Sequence, residues 1–249
     1  MWAMVGLGTG ILLSAFIGAA VIEAAGYEVD VPAGVGSDVG RTAMQLATDQ
    51  PLDDQRVPLA LATVLQVPLW AGMVGAILLA RREGLRWVRD LALSMRWFDV
   101  PAGVAIGVAL QLVVVPLLYV PIFEIFGDQD LSEAARALIG SADGWIDNVA
   151  AIVMVVIGAP LVEELFFRGF LHRALAEQLG GRGRAGVAVA LCASSLIFAM
   201  AHFQVLQAPA LFVVGLVTAG LLQFTRRLGP AIWAHVGFNA TTVVFLVVV

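Results

Sequence analysis

Residues 149–172 read VAAIVMVVIGAPLVEELFFRGFLH, an apolar run whose only charged members are Glu163, Glu164 and Arg168. As a helix this stretch is about 36 Å long, enough to cross a hydrocarbon core of about 30 Å. Glu, Glu and Arg in the middle of such a run are costly in lipid, so they must face a protein interior and are functional candidates by default. Working outward, blocks of similar length and apolarity recur near 2–22, 58–80, 100–123, 187–203, 208–224 and 230–249. No segment alternates in the manner of a barrel strand. The expected fold is therefore all-α, a polytopic transmembrane bundle of about seven spans. We read residues 1–249 as one membrane-embedded domain, with the chemically marked part in 149–249 and a less specific helical half in 1–148.

Composition agrees. Sixty per cent of the 249 residues are apolar and 13% are charged, against roughly 25% charged in soluble domains. A net charge of −5 without a basic patch gives no footing for nucleic acid. The expected surroundings are a lipid bilayer, and the sequence says nothing of oligomeric state. Cys192 lies in an apolar run and reads as a small buried thiol. The first block lacks the positive flank of a signal peptide and is counted as a span.

All 14 basic residues are Arg. Arg81, Arg82, Arg86, Arg89 and Arg96 share one connection, Arg173, Arg182 and Arg184 another, and Arg226 and Arg227 a third, all on one side of the proposed bundle. Arg-rich short loops mark the cytoplasmic face, which places the N-terminus inside and the C-terminus outside, in what we expect is a bacterial plasma membrane. Residues 84–97 repeat apolar side chains at helical spacing and read as an interfacial amphipathic helix. A short helix is expected at 131–139, and irregular chain at 23–57. The pairs Gly6/Gly10 and Gly103/Gly107 have the small-residue spacing that lets membrane helices approach.

The ionisable residues inside the later spans carry the chemistry. Glu164 and Arg168 are four apart on one face and can pair. Glu163 points about 100° away and cannot share that arginine equally. A carboxylate left unpaired in low dielectric is suited to work as a general base. Pro160, one turn earlier, removes a backbone hydrogen bond and should kink the helix. His202 closes Phe198-x-x-x-His202, and His235 opens His235-x-x-x-Asn239, where the spacing sets imidazole and carboxamide on one face. Gly237 between them leaves room for a substrate backbone. His172 beside Arg173 reads as interfacial, and Ser194 and Ser195 as hydroxyls bonded back to their own helix. There is no His-Glu-x-x-His zinc signature.

Three motifs in this order, Glu163-Glu164-x-x-x-Arg168-Gly169, Phe198-x-x-x-His202 and His235-x-x-x-Asn239, resemble the type II CAAX prenyl protease and bacteriocin-processing family of intramembrane glutamate endopeptidases. The resemblance covers about residues 149–249. It implies that Glu163 activates water with help from His202, that His235 and Asn239 stabilise the oxyanion, and that Glu164 and Arg168 hold the first group in place. No cofactor is implied. The same Glu and two His would also serve as three zinc ligands with a fourth position for water, so a zinc-dependent membrane protease stays open. So does a non-catalytic immunity or scaffold protein. A proton-relay transporter fits less well, since no two-half repeat is visible.

Overall fold

The computed structural model describes residues 6–13, 15, 59–82, 84, 86–127, 145–179 and 183–248. The expected loop at 23–57 and the short helix at 131–139 lie outside the described residues. Every regular element among the described residues is helical. After a helical stretch over 6–13 come α1 (Leu59–Arg82), α2 (Trp87–Asp90) and a long helix made of α3 (Asp99–Ala109), a π-helical segment (Leu110–Val114) and α4 (Val115–Phe126). The next long helix is built from α5 (Trp145–Val153), a π-helical turn (Met154–Gly158), α6 (Ala159–Glu163), a second π-helical segment (Glu164–His172) and α7 (Arg173–Leu179). Three further helices follow, α8 (Gly183–Met200), α9 (Ala208–Thr225) and α10 (Gly229–Val248).

Four described helices are long and apolar enough to cross a membrane: Asp99–Ile125, Asn148–Leu179, Gly183–Met200 and Ala208–Thr225. The fold is an all-α membrane bundle, and its distribution of side chains is the reverse of a soluble domain. Leu117 is 67% exposed, Ile125 73% and Phe224 90%, whereas Arg168 is 1% and Glu164 0% exposed. Large apolar side chains face outward because the surrounding solvent is hydrocarbon, and the charged groups turn inward where protein can pair them. Cys192 is on the exposed surface rather than buried.

Glycine decides how closely the helices approach. A Cβ on Gly6 or Gly10 would strike the backbone or side chains of Leu69, Gly72 and Ala76 on α1. On α3, a Cβ at Gly103 would stand 2.6 Å from Trp233 Cβ, and one at Gly107 would run into the Ala234 carbonyl and the Phe238 amide. Gly237 answers from α10: its Cβ would stand 2.6 Å from the Val104 carbonyl oxygen. Gly237 therefore makes room for α3, not for a substrate backbone as its position between His235 and Asn239 had implied. The backbone-to-backbone contact of α3 and α10 is what carries His235 and Asn239 to a fixed depth.

The connection before α3 differs from the amphipathic helix expected over 84–97. Among its described residues only Trp87–Asp90 is helical. The Asp90 carboxylate accepts from the Arg86 amide at 2.7 Å and from Arg89 Nε at 2.7 Å. These contacts hold it below the usual carboxylate range, the Arg89 side-chain bond contributing most and the Arg86 amide next. Beyond it the chain turns at Ala92, which has φ +52°. Its carbonyls bond across to the α9–α10 connection: Leu228 N–H donates to Ala92 O at 2.9 Å and Gly229 N–H to Ser94 O at 3.2 Å. Buried Asp99, at the start of α3, accepts both Arg227 Nε at 3.0 Å and Nη2 at 2.6 Å. The start of α10 is thereby tied to the start of α3. A residue in the left-handed region cannot continue a right-handed helix, so the turn begun at Trp87 stops at Ala92.

Candidate active site

The helix carrying Glu163 is widened twice. In the first π-helical turn the Ala159 N–H bonds to Met154 O, an i→i+5 step, and the second widened segment begins at Glu164 itself. Such segments are uncommon and recur at functional sites. Ahead of Pro160, where a kink was expected, the structure places a π-helical turn within one long helix.

The two carboxylates divide as their sequence positions implied. Arg168 Nη1 stands 3.1 Å from Glu164 Oε1, both groups buried. The guanidinium also lies over the Phe198 ring, with Cζ 4.0 Å from its centroid. Glu164 Oε1 has a second partner that the spacing did not reveal, His235 Nδ1 at 2.9 Å. Glu163, 7% exposed, makes no contact of this kind, and its buried Oε2 has no hydrogen-bond partner. Two imidazoles face that oxygen: His202 Nε2 at 3.7 Å and His235 Nε2 at 3.9 Å.

Those separations are too long for direct hydrogen bonds and suit a water lying about 2.8 Å from Glu163 and an imidazole together. The partners of each Nδ1 fix the tautomers. His202 Nδ1 is 2.8 Å from the Phe198 carbonyl, which can only accept, so Nδ1 carries the proton and neutral His202 offers a lone pair at Nε2. His235 Nδ1 donates to the Glu164 carboxylate, so its Nε2 accepts when the ring is neutral and donates only as imidazolium. The same group thus presents either polarity to a reacting oxygen, with Glu164 placed to stabilise the charged form.

Phe198 is the packing centre of the cluster. Besides the guanidinium, its ring meets His202 edge-on at 4.7 Å, Phe167 at 5.2 Å and His235 at 5.7 Å. Its position one turn before His202 was the only hint in the sequence. His202 itself lies past the end of α8, in the turn that contains Phe203 at φ +55°, and not within a span. Asn239 is placed differently from the rest: its Nδ2 donates to the Val155 carbonyl at 2.9 Å.

His172 is corrected: it is 1% exposed, with Ser194 Oγ 3.3 Å from its Nδ1, and is no interfacial group. Ser194 and Ser195 do bond back to Leu191 O, at 3.2 and 2.7 Å. Among the described residues no group of three or more His, Cys, Asp or Glu side chains is set to hold a metal ion.

Residues 145–241 match the family model described as type II CAAX prenyl endopeptidase Rce1-like. The chain is similar to the membrane-embedded CAAX protease MroQ of Staphylococcus aureus (strain USA300), 29% identical over 140 residues. That match spans 56% of this chain and 56% of the relative, a little over half the length of each. No solved structure matches. The matched region contains the whole cluster from Glu163 to Asn239.

Proposed function

We propose that this chain, whose residues 145–241 match the family model described as type II CAAX prenyl endopeptidase Rce1-like, is an intramembrane endopeptidase whose water is activated by Glu163 and His202. One observation carries the reading: buried Glu163 Oε2, without a hydrogen-bond partner, faces two imidazole nitrogens just beyond bonding distance, while the neighbouring Glu164 is held through its Oε1 by Arg168 and His235.

Water bound there donates one proton to Glu163 and the other to His202 Nε2. As its oxygen attacks the peptide carbonyl, Glu163 takes the first proton, leaving a tetrahedral oxyanion. His235, as imidazolium braced by Glu164, donates to that oxyanion from Nε2. Donors aimed in advance at the developing charge typically lower the barrier by several kcal/mol. Collapse expels the amine, which recovers its proton from Glu163. The substrates are membrane-associated peptides or proteins, and prenylated C-terminal segments are the first class to try, as the description of the matching family model indicates.

Glu163→Gln keeps the shape of the side chain and removes the base. General-base catalysis contributes about 10²–10⁴-fold, so turnover should fall by at least that factor in protein that still folds. The assay is cleavage of a farnesylated CAAX peptide and of its unprenylated counterpart by purified protein in detergent. Wild-type turnover in Glu163→Gln would defeat the endopeptidase mechanism. A wild-type protein inert toward both peptides and toward membrane proteins would favour the immunity or scaffold role.

A further inference from the structure

Proline has no N–H, so wherever it sits in a helix one carbonyl on the preceding turn loses its donor. Which carbonyl depends on the local winding. In the π-helical turn 154–158 the pairing runs i→i+5, with Ala159 N–H on Met154 O. The next pair in that register is Val155 O with the nitrogen of Pro160, and this bond cannot form. The α-helical alternative is also spent, because the donor it needs, Ala159 N–H, is the one bonded to Met154 O. Pro160 is buried, in a bundle whose surroundings are apolar. There an unsatisfied carbonyl is costly. The Asn239 carboxamide fills the gap, with Nδ2 2.9 Å from Val155 O.

We propose that Asn239 is a positioning residue, its amide standing in for the N–H that Pro160 lacks and thereby latching α10 to the π-helical turn that leads into Glu163. The latch fixes the winding of the helix at Val155, two turns before the carboxylate. It also fixes α10 against that helix one turn beyond His235. The distances from Glu163 Oε2 to the two imidazoles depend on both. The catalytic consequence rests on the endopeptidase reading, whereas the latch itself does not. A carboxamide has two N–H groups, and only one is spent on Val155. Loss of activity on replacing Asn239 is therefore no evidence by itself for contact with an oxyanion.

A double-mutant cycle tests this in the full-length protein. Asn239→Leu removes the donor, and Pro160→Ala supplies a backbone N–H in register with Val155 O. We expect Asn239→Leu alone to lower the folded-to-unfolded ratio about 5–30-fold, measured by denaturant or thermal unfolding in detergent. In the Pro160→Ala background the same substitution should lower it less than threefold, and kcat should recover with stability while KM changes little. If Asn239→Leu cannot be expressed, Asn239→Ser, a smaller change, completes the same cycle. Equal losses in both backgrounds would overturn the latch. Coupled stability without recovery of kcat would overturn the positioning role and assign the effect on turnover to direct contact with the reacting carbonyl. The stability arm is independent of turnover, so it decides the latch even if no peptide is cleaved.

Discussion

Replacing Arg168 by Met should separate the stability of the cluster from its chemistry. Arg168 is 1% exposed and neutralises Glu164, which is 0% exposed, at 3.1 Å. Removing one member of a buried pair strands the other charge, at a cost of about 3–5 kcal/mol. The guanidinium also stacks on Phe198 at 4.0 Å, a contact worth up to about 2 kcal/mol when desolvated. Glu164 keeps His235 as a partner at 2.9 Å, which softens the loss, so we expect about 3 kcal/mol for Arg168→Met. Arg168→Lys keeps the charge but not the planar stack, and should cost about 1–2 kcal/mol.

The informative variant is Glu164→Leu/Arg168→Met. With both charges gone no charge is stranded, only the His235 Nδ1–H that Glu164 had accepted, and apolar replacements of buried ion pairs are often neutral or better. The double variant should therefore be more stable than Arg168→Met alone. It should nonetheless be nearly inactive, because His235 has lost the acceptor that orients its ring and supports its charged form. Unfolding in detergent and turnover on one preparation measure both quantities. If the double variant is as unstable as the sum of the two single ones, the buried-pair account is wrong. If it is stable and fully active, Glu164 has no part in orienting His235.

Two further outcomes follow from the packing and the donor set. Gly237→Val should destabilise the protein by about 1–3 kcal/mol or more and reduce activity, since a side chain there meets the Val104 carbonyl and separates α10 from α3; wild-type unfolding behaviour would show that the close approach does not hold the site. Purified wild-type protein should cleave its substrate at a rate that does not follow its zinc content, and stoichiometric zinc lost from Glu163→Gln, His202→Ala and His235→Ala would overturn the mechanism proposed for these residues.

The membrane class was legible because it rests on the length and apolarity of blocks, which survive any detail of packing. The connection at 84–97 was not, although its periodicity was good. Helical spacing records what a segment would do alone, whereas here the chain turns at Ala92 in the left-handed region, and the Ala92 and Ser94 carbonyls accept from Leu228 and Gly229, far away in sequence. The same limit explains His172. Its neighbour Arg173 suggested water, but Ser194 on α8 supplies a buried partner that no local pattern announces.

Within the site, what could be read was whatever one helix decides by itself. Glu164 and Arg168 share a face at i,i+4, so the pairing of this carboxylate rather than its neighbour with the arginine followed from spacing alone. What could not be read were the bonds between helices, and these change the chemistry of residues already identified. His235 was expected as a hydrogen-bond donor; bonded to Glu164 through Nδ1, it can donate from Nε2 only when charged. Its role therefore depends on a carboxylate 71 positions away in sequence. Asn239 was expected beside it in the same role, yet one of its N–H groups answers a vacancy created by Pro160 on another helix. Identical i,i+4 spacing thus joins a residue whose polarity the site can reverse to one whose first task is to hold the site's wall. Only the partner on the facing helix distinguishes the two.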